Sequence, residues 1–316
     1  MKKRNMLVTG GAGFIGRWVV GKLLEGGGTV TVLDDLSTGS RKNILEFESN
    51  PEFTFVEGSI LDARLIEDLF NAHAYEVCFH LAANIVVQDS IDHPRKVFQN
   101  DVVGTFNLLE ACRARKTRFL FMSTCMVYER SSDWAGITET HATKPVSPYG
   151  AFKIAGEAMA LSYWHAYGLP VTVVRPFNTY GPYQRADGEG GVVAVFTKRK
   201  LEGKPLLIYG DGTQTRDLME VTDCASFVTL AGLSEKTVGE VLNAGAGRDV
   251  TINQLAEMIS EGRVPIEHVP HIHPQSEIPK LLCNYNKARD LLGWKPKVKL
   301  EKGLKRVEEW MRRQTR

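Results

Sequence analysis

Short apolar runs alternate with longer amphipathic stretches through the first half of the chain. Met6–Thr9, Thr29–Leu33, Phe53–Glu57, Val77–Leu81, Phe119–Ser123 and Val171–Arg175 are brief, apolar and bounded by polar or turn residues, the pattern of buried strands. Between them Phe14–Leu24, Val97–Arg113 and Pro148–Tyr167 repeat with helical spacing. Strand–helix alternation requires right-handed crossovers and a parallel sheet covered on both faces. The pattern predicts an α/β fold, a Rossmann-type doubly wound parallel sheet, followed by a smaller mixed α/β lobe. After Pro176 the alternation loosens, and Gly181, Pro182, Gly188, Gly190, Gly191, Gly210 and Gly212 break up short strands. Asp223–Leu233 and Gly239–Ala244 read as a helix and strand returning to the main sheet; Ile252–Ile259, Asn286–Leu292 and Leu300–Met311 read as helices. The expected division is residues 1–178 with about 220–247 in the first lobe, and about 179–219 with 248–316 in the second.

Composition narrows the class. The 316 residues are 43% hydrophobic and 24% charged, enough to bury a sizeable core. Thirty-nine Lys and Arg against 37 Asp and Glu leave +2, so no global field points to nucleic acid or an anionic membrane. The basic run Lys295–Arg316 falls on a helical pattern and reads as a solvated face. Cys78, Cys112, Cys125, Cys224 and Cys283 form no C-x-x-C pair, so neither zinc nor a disulfide framework is signalled, and a reducing cytoplasm is the expected location. The apolar run after Met1-Lys2-Lys3-Arg4 is too short for a secretion signal, and no window holds the ~20 apolar residues a membrane span needs. His268, His271 and His273 lack a carboxylate or Cys partner at metal-binding spacing, so no metal is expected.

The first strand runs into Gly10-Gly11-Ala12-Gly13-Phe14-Ile15-Gly16 and then a helix. Glycines serve where the backbone turns sharply, approaches a pyrophosphate, or packs helix on strand, and the helix N-terminus favours phosphate charge. The next strand ends in Asp34-Asp35, a carboxylate placed to bond a ribose 2′-hydroxyl and repel a 2′-phosphate, so NAD is expected over NADP. Farther on, Thr124 follows the Phe119 strand, and Tyr149 and Lys153 stand one helical turn apart. A neighbouring ammonium and an oxidised nicotinamide should lower the phenol's pKa, with Thr124 sharing the proton between Tyr149 and an alcohol. Such a set removes an alcohol proton while hydride leaves the same carbon.

With these residues the chain resembles the extended short-chain dehydrogenase/reductase family, the NAD-dependent nucleotide-sugar epimerases and dehydratases, along essentially its whole length. Further marks are Leu33-Asp34-Asp35-Leu36-Ser37-Thr38-Gly39, His80-Leu81-Ala82-Ala83, Asn100 ahead of Gly104-Thr105, Arg175-Pro176-Phe177-Asn178-Thr179-Tyr180-Gly181-Pro182, Arg216-Asp217, and Leu292-Gly293-Trp294 before Pro296. The resemblance implies a tightly held NAD, a nucleoside-diphosphate sugar between the lobes, and a homodimer joined through the helices after the fourth and fifth strands. It implies cofactor contacts from Gly10, Gly13, Phe14, Ile15, Gly16, Asp34, Asp35, Ser37, Thr38, Gly39, Ser59, Ile60, Leu81, Ala82, Ala83, Asn100, Tyr149, Lys153 and Pro176. It implies substrate contacts from Val86, Val87, Thr124, Cys125, Met126, Asn178, Gly191, Val192, Arg216 and His273, with Val86 and Val87 equally readable as core. An Arg between lobes suits bidentate contact with a diphosphate.

The reaction is less constrained. A 4-epimerase needs no acid or base beyond the one that oxidises C4. A 4,6-dehydratase must also move protons at C5 and C6, and the family's hexose dehydratases use an Asp-Glu pair directly after the catalytic Thr. Cys125 and Met126 occupy those positions, which favours epimerisation. Dehydratase or decarboxylase remains the alternative, because Pro176-Phe177-Asn178-Thr179-Tyr180 is phrased as in those enzymes. Cys125 itself is a candidate catalytic base if neighbouring cations lower its pKa, or else a packing residue. Ser59 stands where the family has Asp, Glu220 replaces an aromatic or His, and Pro274-Gln275-Ser276-Glu277 lacks the usual arginine, so that either His271 or His273 substitutes or the nucleotide is not UDP. A non-catalytic NAD-binding sensor is the rival from another class.

Overall fold

The computed structural model describes residues 4–130, 135–187, 191–270 and 278–314. The first lobe begins with β1 (Asn5–Thr9), α1 (Phe14–Glu25), β2 (Thr29–Asp34), β3 (Phe53–Glu57), α2 (Ala63–Ala72) and β4 (Val77–His80). It continues through α3 (Val87–Asp92), α4 (Pro94–Phe98), α5 (Gly104–Arg115), β5 (Arg118–Met122), α6 (Pro148–Tyr167) and β6 (Val171–Pro176). Then follow β7 (Asn178–Tyr180), α7 (Val192–Leu201), β8 (Leu206–Tyr209), β9 (Thr215–Glu220), α8 (Val221–Leu233) and β10 (Val241–Ala244). The chain closes with β11 (Asp249–Thr251), α9 (Ile252–Ser260), β12 (Ile266–Val269), β13 (Lys280–Leu281), α10 (Asn286–Leu292) and α11 (Leu300–Gln314).

Seven parallel strands make the main sheet in the order β10-β6-β5-β4-β1-β2-β3. Alternate residues feed opposite faces: Met6 and Val8 enter one core, Leu7 and Cys78 the other. Burial on both faces is why these strands read as continuous apolar runs. The strand order reverses between β1 and β4, so their carboxyl ends open the crevice where such sheets bind ligands. The expected return of residues 223–244 to the main sheet is present as α8 and β10.

The helical stretch expected at Val97–Arg113 is instead interrupted. It starts at Pro94 and widens to a π turn over Gln99–Val103 before resuming as α5. Such a turn inserts a residue, rotates its side chains relative to the flanking helix, and is frequent at functional sites.

The second lobe carries a small sheet, β11-β9-β13 with β7 on β9, and the pair β12–β8, under α7, α9 and α11. Its parallel and antiparallel pairings join strands of two to six residues, too short for hydrophobic periodicity to announce them. Residues 285–294, assigned from the sequence to this lobe, pack instead on the first: Ala288 and Trp294 join the core of β1, β4 and α8, with Trp294 tilted against Phe227 at 5.1 Å.

A buried ion pair ties α6 to β6. Arg175 Nε and Nη2 donate to the two oxygens of Glu157 at 2.8 and 2.5 Å, and Ser123 donates to the same carboxylate. The third arm of Arg175 donates to Tyr128 Oη at 2.9 Å, which donates to Asn243 on β10 at 2.7 Å. Removing one partner of such a pair strands the other's charge in the interior. Glu157→Gln is expected to cost about 3–5 kcal/mol, read as a lower urea midpoint with unchanged slope.

Candidate active site

The glycine loop is built for close approach. Gly10 has φ +72°, and a Cβ there would lie 2.6 Å from the Ala82 amide at the end of β4. A Cβ on Gly16 would strike the Gly10 carbonyl, so α1 packs directly on the turn. Gly13 is the N-cap of α1 and offers no capping side chain, which leaves the amides of the Phe14-Ile15-Gly16 turn to a phosphate. At the end of β2, Asp34 is buried and accepts from the Ala12 and Leu36 amides, both at 2.9 Å, with Gly39 pressed against Ala12. Burial raises the Asp34 pKa, and those two amides oppose the rise. Asp35, Ser37 and Thr38 are exposed, and Asp35 accepts from the Ser37 amide at 3.0 Å. Ser59 closes the loop after β3 by accepting from Leu61, whereas the Ile60 side chain is core beneath Gly104. This cradle fits NAD: small residues at the closest approaches, open helix amides, and one inward carboxylate.

A buried polar chain holds the neighbouring strand ends. Thr105 donates to the Asp101 carbonyl at 2.5 Å, so its oxygen accepts from His80 Nε2 at 2.9 Å, and His80 Nδ1 accepts from Thr9 at 2.8 Å. Thr9 in turn accepts from the Ala82 amide at 3.3 Å, which fixes Leu81-Ala82-Ala83 beside the glycine loop. Burial, with the Lys153 charge, pushes His80 down to about 3, so the imidazole is neutral. His80 is a structural link between β1, β4 and the π turn.

Ser147 and Pro148 start α6, the Ser147 side chain accepting from Gly150, and Tyr149 and Lys153 occupy its first turns. Ser90 on α3 accepts from the Tyr149 amide at 3.0 Å. Lys153 is buried, donates to the Met122 carbonyl at 3.0 Å, and lies 6.0 Å from the centroid of the Tyr149 ring. Thr124, Tyr149 and Lys153 thus meet at the carboxyl end of β5, as expected. In the protein alone Tyr149 is raised above an ordinary phenol, first by burial and then by the Asp101 carboxylate, with contact from Thr124 opposing.

Cys125 falls on the packing side of its two readings. Burial pushes its thiol up to about 12 even though Arg216 pulls the other way, so it is protonated at neutral pH and is no thiolate base. It packs with Val127, Tyr128, Ile137, Phe177 and Cys283. Met126 is half-buried beside it. Asn100 is half-buried and its amide donates to Asp101 at 2.9 Å, and Asp101 beside it in the π turn is buried.

From the other side come Pro176 and Asn178. Asn178 Oδ1 is buried with no partner among the described residues, as is Gln184 Oε1. Gln184 donates to the Thr179 carbonyl and lies against Gly191, where a Cβ would strike its amide, at the start of α7 and Val192. Buried unpaired acceptors in a native fold mark places for a ligand or water. Gln184 was missed in the sequence because a Gln in a Gly- and Pro-rich stretch carries no signal. Arg216 donates to the Thr215 and Ile278 carbonyls at 2.8 and 2.9 Å, and its charge reaches Cys125. Asp217 beside it is structural, accepting from Ala246, Gly247 and Cys283 amides. Val86 and Val87 are half-buried at the start of α3. His273, with His271 and residues 274–277, lies outside the described residues.

The family model for GDP-mannose 4,6 dehydratase matches residues 7–307. The chain belongs to the NAD-dependent nucleotide-sugar epimerases and dehydratases of the extended short-chain dehydrogenase/reductase family. It is 54% identical to the solved structure of Pal from Bacillus thuringiensis, with TM-score 0.97 and 98% and 99% of the two chains covered. It is 39% identical to UDP-glucose 4-epimerase with UDP-glucose from Thermotoga maritima, TM-score 0.92, covering 99% and 100%. A UDP-N-acetyl-alpha-D-glucosaminuronate decarboxylase from Bacillus cytotoxicus is 34% identical over 99% of this chain and 98% of its own. The dTDP-glucose 4,6-dehydratase from Bacillus anthracis, solved in complex with NAD, is 30% identical at TM-score 0.89 over 98% and 97%. The cofactor of this enzyme is NAD.

Losing a charge-assisted bond costs about 1.5–3 kcal/mol. Asp34→Ala is therefore expected to weaken NAD retention about ten- to a hundredfold and to narrow its preference over NADP, measured by cofactor content after dialysis and by titration with both dinucleotides.

Proposed function

We propose that the enzyme is a nucleotide-sugar 4-epimerase that works through a transient 4-keto sugar. The glycine loop, the α1 N-terminus and Asp34 would hold NAD, which would supply a hydride acceptor and donor for the sugar C4. Tyr149 takes the C4 hydroxyl proton, and Thr124 shares that proton through its own hydroxyl. Lys153 holds positive charge beside the phenol from below the strand end. Since burial raises Tyr149 in the protein alone, the phenol ionises only when further positive charge arrives in the site. Asn178, Gln184 and the Gly191–Val192 turn supply acceptors and amides for the sugar and diphosphate, and Arg216 supplies the cation.

The residues after Thr124 carry the choice of reaction. Elimination across C5–C6 needs an acid and a base, and the two side chains available are a protonated buried thiol and a thioether. Epimerisation needs neither. Loss of carbon dioxide from a 4-keto uronate needs neither as well, so decarboxylation is the second reading, in keeping with the decarboxylase relative.

The homodimer rests on an exposed apolar stripe. Phe98, Val103 and Phe106 on the helices before β5, and Tyr167 at the end of α6, are 44%, 37%, 45% and 60% exposed, and Phe98 meets Phe152 edge-on at 5.7 Å. Apolar side chains clustered in this way mark an association surface. Light scattering is expected to give twice the chain mass, and Phe106→Glu to give monomer.

The reaction is tested with UDP-, dTDP-, GDP- and CDP-hexoses and uronates, read by mass and proton NMR. Unchanged mass with altered coupling constants supports epimerisation; loss of water or carbon dioxide replaces it with a lyase; no change in any sugar leaves a sensor. Tyr149→Phe is expected to lower turnover about a hundred- to ten-thousandfold while NAD stays bound. Equal loss of cofactor would show that Tyr149 is misassigned.

A further inference from the structure

The π turn buries a carboxylate that the chemistry above does not use. Asp101 is 3% exposed. Its Oδ1 accepts from the Asn84 amide at 2.8 Å and from Asn100 Nδ2 at 2.9 Å, whereas Oδ2 is fully buried with no hydrogen-bond partner among the described residues. A buried carboxylate is costly unless a cation balances it. Burial raises the Asp101 pKa, and the charge of Lys153, on the helix α6 that packs against the π turn, opposes the rise.

Lys153 has the complementary need. Its ammonium is buried with one backbone carbonyl as hydrogen-bond acceptor. Burial lowers its pKa, and two carboxylates oppose the fall, Asp101 and Glu157. Glu157 is already held by two arms of Arg175 and by Ser123, so that pair is neutral within itself. Asp101 is the charge left to balance Lys153. The other groups around Asp101 do not compete: His80 on β4 is neutral, Asp89 on α3 accepts from the Asn84 side chain, and Tyr149 on α6 is a protonated phenol.

We infer that Asp101 is a positioning residue that acts through Lys153, its buried charge on the π turn keeping the ammonium on the packed helix α6 protonated beside Tyr149. Without it the ammonium would lose the one of these two carboxylates not already paired with an arginine and would release its proton at lower pH. The inference rests on the proposed role of Tyr149 and Lys153 only for its effect on turnover; the charge balance stands apart from it.

The test uses the NAD-bound protein labelled with ¹³C-lysine, the Lys153 signal being assigned by its absence in Lys153→Met. In Asp101→Asn, which keeps the shape and an acceptor for Asn84, the Lys153 side chain is expected to lose its proton at least one pH unit lower, a tenfold or greater change in proton affinity. Asp101→Glu is expected to return it toward the unsubstituted value. With a hexose from the panel that is turned over, the alkaline limb of kcat should move down by the same amount while KM changes little. An unmoved Lys153 signal in Asp101→Asn overturns the inference whatever the activity. If Asp101→Asn fails to fold, Asp101→Ser decides by the same criterion: an unmoved Lys153 titration overturns the inference, and one at least one pH unit lower supports it. A shifted signal in a protein that alters no nucleotide sugar supports the inference and removes the proposed function instead.

Discussion

An ammonium shut away from water has to be matched by charge and by acceptors, and the end of β5 is organised around that requirement. Lys153 reaches from α6 under the strand end to the Met122 carbonyl. Asp101 comes to it from the π turn, and the turn is held by the Thr9–His80–Thr105 chain. Glu157, one helical turn farther along α6, is matched separately by Arg175. Two cations and two carboxylates are thus buried in one region with their charges balanced, and the polar chain that locks them also sets the Ala82 loop against the glycine turn. Cofactor cradle and proton-transfer residues are mechanically one unit.

The same burial explains why the site is quiet on its own. A phenol, a thiol and an imidazole all lie within it, and in each case desolvation favours the neutral form. In the proposed mechanism, positive charge from the oxidised cofactor would tip the phenol and so couple base strength to the presence of a partner able to take hydride. Cys125 and Met126 add volume and polarisability to the pocket, and no proton traffic at neutral pH.

The second lobe contributes acceptors and a cation. Asn178 and Gln184 present buried acceptors with no partner among the described residues, and Arg216 is steadied by two backbone carbonyls with its charge reaching Cys125 at the end of β5. Such preset, unsatisfied groups suit a ligand rich in hydroxyls and phosphate, and they sit on short strands and loops whose lengths vary freely without disturbing the main sheet.

By itself the sequence determined the main sheet, the glycine cradle with its inward Asp34, and the meeting of Thr124, Tyr149 and Lys153, because each rests on local spacing: apolar runs of strand length, glycines at fixed offsets, residues one helical turn apart. Tertiary structure decided the rest. The two- to six-residue strands of the second lobe are too short for periodicity, and the return of Trp294 to the first core is a long-range contact. The π turn that interrupts the helix before α5 and carries the buried Asp101 is a local widening that no helical pattern reveals. The protonation states of Tyr149, Cys125 and His80 depend on how completely water is excluded, and exclusion of water is a property of the packed molecule, not of neighbours along the chain.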